Sequence, residues 1–177
     1  MPGPSPTSAV NAFIRPLREA ASCIGGAHFE LTPGARGDVG ETHAWTFLPI
    51  EVAKDLSFSA SMRFETLDLG RSEKRNRFRV TTREYIYAVS AQGREIIAAH
   101  WHPESSSPVT TPHWHIGAAA LTPEGVYLTR AHIPSPRVSF EQMIRFMIEQ
   151  MEVNPHTQDW SERLGRTESL FERHKTW

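Results

Sequence analysis

His100-Trp101-His102 and His113-Trp114-His115 place four of the chain's nine histidines within sixteen residues. On an extended strand, side chains two residues apart share a face, so each His-x-His motif presents two imidazoles side by side. Pairing of the two strands across residues 103–112 would gather all four rings on one patch. Trp101 and Trp114 would then point the opposite way, into the core. Such a patch suits two chemistries. One or two histidines can act as general acid and base near neutral pH, with no metal present. Alternatively, neutral imidazoles from facing strands, with Cβ atoms about 4.5–5.5 Å apart, can converge on a transition metal such as zinc at about 2.0–2.1 Å. Glu104 would be an additional oxygen ligand.

The neighbouring residues favour the metal-free chemistry at this level. Arg71, Lys74, Arg75, Arg77, Arg79 and Arg83 crowd one stretch, and Arg94, Arg130 and Arg137 follow on adjacent segments. Strict alternation from residue 77 puts Arg79, Arg83, Tyr85 and Tyr87 on one face of a strand. Arginines beside histidines make a phosphate-holding surface, because backbone affinity depends on local Lys and Arg. The expected site for RNA cleavage therefore has His113 and His115 as acid and base, assisted by His100 and His102. Arg79, Arg83, Arg94 and Arg130 would hold phosphate, and Tyr85 and Tyr87 would stack on bases. His132, in the Pro-rich segment 130–137, reads as structural. His28, His43, His156 and His174 lack a partner at ligand spacing and read as incidental. The chain has no G-x-G-x-x-G, Walker, H-E-x-x-H or G-x-S-x-G motif, which removes those nucleotide, zincin and hydrolase classes.

The elements that must position these residues are legible as patterns. Val10, Phe13, Ile14, Leu17 and Ala21 recur at helical spacing from Thr7 until Gly25-Gly26, with Pro16 as an expected kink or later start. Residues 28–32, 43–50, 57–68, 77–90, 94–102, 113–121 and 126–133 read as strands joined by turns, an antiparallel meander. Ser139 followed by Gln142 is a capping-box signature. It opens a helix whose stripe is Phe140, Met143, Ile144, Met147, Ile148 and Met151. A last, more polar helix is predicted over 157–174, anchored by Trp160, Leu164 and Phe171.

The whole reads as α+β: an antiparallel sheet of about six or seven strands, with a helix from each end of the chain packed on one face. Residues 1–6 are expected to be a flexible lead-in and residues 7–177 a single domain. Composition bounds the function. In 177 residues, nineteen basic and twenty acidic side chains leave a net charge of -1, so no global basic field attracts nucleic acid. The single cysteine, Cys23, excludes an intrachain disulfide framework and a cysteine zinc cage. No apolar run approaches the roughly 18 residues of a membrane span, and the amino end lacks the pattern of a secretory signal. A cytoplasmic protein without membrane contact, able to form homo-oligomers, is the expectation.

Tyr85-Ile86-Tyr87, the Gly93-Arg94 hairpin, a short polar loop, Pro112-His113-Trp114-His115 and the Pro-flanked approach to Ser139 resemble the TumE-like toxins of prokaryotic toxin–antitoxin pairs. The resemblance covers about residues 77–152. It implies a small α+β protein with a growth-inhibiting activity on RNA, neutralised by an antitoxin partner, with Pro112, His113 and His115 as the matching positions. His100-Trp101-His102-Pro103 departs from the family's pattern, and the first 70 residues and the last helix have no counterpart in it. A metal-binding protein using the same four histidines, and a non-enzymatic module docking a partner through the Met stripe or the terminal helix, are the alternatives. His113→Ala with His115→Ala would leave a docking module's effect intact.

Overall fold

A computed structural model describes residues 2–26, 28–70, 75–121, 128 and 131–174. The chain opens with β1 (Pro2–Gly3) and helix α1 (Pro6–Ala21), and continues into β2 (Phe29–Leu31), β3 (Thr42–Ala53) and β4 (Leu56–Asp68). Next come β5 (Phe78–Ala91), β6 (Arg94–Trp101), β7 (His113–Ile116) and β8 (Ile133–Pro134), and then the helices α2 (Phe140–Gln150) and α3 (Trp160–His174). Strands β2 to β8 follow one another as an antiparallel meander, and β1 pairs separately with β5, giving eight strands among the described residues. The α+β class, the antiparallel sheet and the terminal helices are as the patterns indicate. Among the described residues no helix is long and apolar enough to cross a membrane.

The core lies between one sheet face and the helices. Phe140, at the start of α2, is its hub: its ring sits 5.4 Å from Trp45, 5.8 Å from Tyr87, 5.9 Å from Phe58 and 6.0 Å from Phe47. Each such aromatic pair adds about 0.5–1.5 kcal/mol beyond its buried area. Met143, Ile144 and Met147 continue the buried stripe. The Ser139–Gln142 capping box is formed in both directions, satisfying amide donors that would otherwise be orphaned at the start of α2.

Several local expectations are corrected. Residues 2–5 are built into the fold: Pro2 and Gly3 pair with Arg79 and Phe78, and the Ser5 side chain accepts from the Ser8 N–H as the cap of α1. Helix α1 already begins at Pro6 and includes Pro16, which is buried, so Pro16 does not mark its start. Strand β7 stops at Ile116 because the chain turns into a short 3-10 helix, Ala118–Ala120. Of the strand expected over 126–133, Ile133 is the one described residue in extended pairing, at the start of β8. Residues 126, 127, 129 and 130, Arg130 included, lie outside the described residues, as do Arg71 and Lys74 of the basic stretch.

The correction with most consequence is in β5. Arg63 faces Glu84, but Phe64 faces Thr82, so Arg83 is an extra residue, a β-bulge. A bulge reverses the alternation beyond it. Phe78 and Val80 point toward the helices, and after the bulge Tyr85, Tyr87 and Val89 do so as well. Tyr85 is 1% exposed and Tyr87 fully buried, with their rings stacked at 4.8 Å. The Val138 N–H donates to the Tyr85 hydroxyl at 2.9 Å. The two tyrosines are core residues and cannot stack on bases.

Candidate metal centre

Strand β6 pairs with β7 so that His100 faces His113 directly and Ala98 faces His115. Directly opposed residues share a sheet face, which sets His100, His102, His113 and His115 on one side. Ring centroids lie 4.5 Å apart for His100–His115, 5.0 Å for His113–His115, 5.2 Å for His102–His113 and 5.8 Å for both His100–His102 and His100–His113. The tryptophans point away, as alternation requires. Trp101 lies 6.1 Å from Tyr85 under the Arg137 guanidinium, and Trp114 lies 5.5 Å from Phe146 of α2.

A fifth imidazole joins them. His132 stands 4.5 Å from His115 and 4.9 Å from His113. Its segment reads as structural from sequence because its proximity depends on β8 returning beside β7, where His113 faces Pro134. The Arg130-Ala131-His132 spacing carries no sign of that pairing. Two sets of three histidines result, each with donor nitrogens within 4.8 Å of one another: His100, His102 and His113, and His113, His115 and His132. His113 belongs to both. Glu104 is exposed and stands outside both sets.

Hydrogen bonds orient two of these rings. The His113 Nδ1–H donates to the Thr111 carbonyl at 2.7 Å, which fixes the tautomer and leaves Nε2 with its lone pair. His113 is 1% exposed, and its Nε2, like that of His100, is buried with no hydrogen-bond partner. An orphaned buried nitrogen costs about 1–3 kcal/mol unless something occupies its lone pair. His102 Nδ1 is bonded to Ser105 Oγ at 2.7 Å. Burial and the mutual repulsion of the cluster lower the pKa of His100 to about 4, and burial leads the lowering at His113 and His115. Neutral imidazole is the form that coordinates a metal.

The phosphate-holding surface is assembled only in part. Arg83 is held by Glu65, its Nε–H donating at 2.8 Å. Arg79 faces Leu67 and Pro2, six residues from the Tyr85–Trp101 pair, roughly 20 Å along the strand at about 3.3 Å per residue. Arg94 alone of the four expected arginines is described near the histidines, lining a groove with Glu95, His115 and Gly117.

Gly117 locks this geometry. Its N–H donates to the Ile96 carbonyl at 3.0 Å, and a Cβ there would meet the Glu95 carbonyl oxygen at 1.9 Å and its carbon at 2.4 Å. Backbone atoms cannot step aside, so Gly117→Ala must push the end of β7 off β6. Urea unfolding is expected to show a loss of about 2–3 kcal/mol. A change below about 0.5 kcal/mol would mean that the close approach is not required.

No family model, curated protein or solved structure matches this chain.

Proposed function

We propose that this protein binds a divalent transition metal on its histidine face, zinc being the ion best matched to an all-imidazole donor set. The observation that carries the reading is that His100 and His113, members of one set of three histidines whose ligand nitrogens lie within 4.8 Å of one another, each hold a buried Nε2 with no hydrogen-bond partner. His113 has one free nitrogen, so the face takes one ion at a time, through either set. Three nitrogen ligands leave a coordination position for water or a substrate oxygen, the arrangement of hydrolytic metal sites. The groove lined by Arg94 and His115 suits an anionic group presented to that position.

Elemental analysis of protein purified without an affinity tag tests this. The wild-type chain is expected to retain one equivalent of metal that the His100→Ala/His113→Ala/His115→Ala chain lacks. Equal metal content in the two chains would overturn the reading. A metal-free, toxin-like ribonuclease using His113 and His115 is the second reading, supported by Arg94 lining the same groove as His115. RNA cleavage that persists undiminished in a strong chelator would decide for it, and an antitoxin partner would then be sought.

A further inference from the structure

A second cluster of donor atoms lies at the opposite edge of the sheet, where the loop between β2 and β3 folds back over the start of β3. His43, which reads as incidental from sequence, is 6% exposed, and its Nε2 is buried with no hydrogen-bond partner. Its Nδ1 is bonded to Thr32 Oγ1 at 3.3 Å, and Thr32 Oγ1 also accepts from the Ala44 N–H at 3.1 Å, so the ring is held by its other nitrogen. Asp38 and Glu41 bring carboxylate oxygens to the same place, with all three donor atoms within 4.8 Å of one another. His43 Nε2 and Asp38 Oδ2 are 3.6 Å apart. That is long for a hydrogen bond, whereas two ligands at about 2.0–2.1 Å on one tetrahedral ion stand roughly 3.3 Å apart.

The loop is shaped to permit this approach. Gly34 has φ +82°, and a Cβ built on it would fall 2.0 Å from Asp38 Oδ2 and 3.5 Å from His43 Cε1. Its carbonyl accepts from the N–H groups of Gly37 at 2.8 Å and Asp38 at 3.1 Å, which curls the loop so that Asp38 faces His43. The missing side chain makes room for the carboxylate, and the positive φ lets the loop turn there.

We infer that Asp38, Glu41 and His43 form a second metal site, one that takes a first-row divalent cation through one imidazole nitrogen and two carboxylate oxygens. The mixed donor set favours zinc, manganese or iron(II) over copper(I) or the alkaline earths. Thr32 is the positioning residue that orients the imidazole, in the way outer hydrogen bonds hold metal-bound histidines. The site is independent of the histidine face and stands whether or not that face binds metal.

Equilibrium dialysis of the full chain against zinc alone tests the inference. The wild-type chain is expected to bind two ions, the Asp38→Asn/Glu41→Gln chain one, and the His100→Ala/His113→Ala/His115→Ala chain one. One ion in the wild type and none in Asp38→Asn/Glu41→Gln would keep this site and remove the histidine face as a binder. An identical count in the wild type and Asp38→Asn/Glu41→Gln overturns the inference. Both substituted carboxylates are exposed, so that comparison decides even if the triple histidine chain fails to fold.

Discussion

His113→Ala is expected to abolish tight metal binding at the histidine face, whereas His102→Ala and His132→Ala each remove one set of three and leave the other. His113 is the ligand common to both sets, and its nitrogen is pre-oriented by the Thr111 carbonyl. Loss of a mere outer hydrogen-bond partner costs about 10–100-fold in metal affinity, and loss of the shared ligand must cost more. Because His113 is buried between β6 and β8, alanine also leaves a void that can loosen the sheet. His113→Gln keeps most of the bulk and can still donate to Thr111, so it separates ligation from packing. Both variants are expected to lose the ion, with His113→Gln retaining the wild-type circular dichroism. Zinc titration that gives the His113→Ala chain wild-type affinity would refute the shared-ligand geometry.

Relative to Glu141→Gln, the wild type is expected to lose about 3 kcal/mol of stability as the pH rises from 4 to 8, whatever the buried histidines add to both proteins over the same interval. Glu141 is 2% exposed in the first turn of α2, and its Oε2 has no hydrogen-bond partner. Burial is the main cause that raises its pKa from 4.5 to about 7; nearby Glu168 raises it further, while Ser139 and the backbone oppose the rise. Arg137 and Thr167 line the same small cavity, and Tyr87 is also close enough to feel the Glu141 charge. The folded pKa lies above the unfolded one, so the native state holds a proton that the unfolded chain releases. That contribution is fully present below about pH 4.5 and is lost as the pH rises through about 7. Each pKa unit is worth about 1.4 kcal/mol, hence the magnitude. Urea unfolding at pH 4 and pH 8 should show the wild type losing stability relative to Glu141→Gln over that interval. Parallel pH profiles for the two proteins would show that the carboxyl is solvated.

Much of the architecture is local in origin and therefore readable in the chain. Alternation over residues 57–68 marks β4, helical spacing over residues 140–148 marks α2, and the Ser139–Gln142 signature becomes an observed capping box. The same two-residue period assigns His100, His102, His113 and His115 to one face and their tryptophans to the other. The failures also have physical causes. Tyr85 and Tyr87 read as surface residues because a single bulge at Arg83 inverts every side chain beyond it, and nothing in the composition of β5 marks that point. His43 reads as incidental because its partners, Asp38 and Glu41, reach it through a loop whose curl rests on the positive φ of Gly34 and two bonds to its carbonyl.

By itself, then, the sequence determined the α+β class, the antiparallel meander and the shared face within each His-x-His motif, since each follows from patterns along a few consecutive residues. The tertiary structure alone decided that His132 is the fifth member of the cluster, that His113 is shared, and that Arg83 is held by Glu65 while Arg79 lies far along β5. Those outcomes depend on register between strands and on where a bulge falls. Both are set by the packing of the whole core around Phe140 rather than by the residues that carry the chemistry.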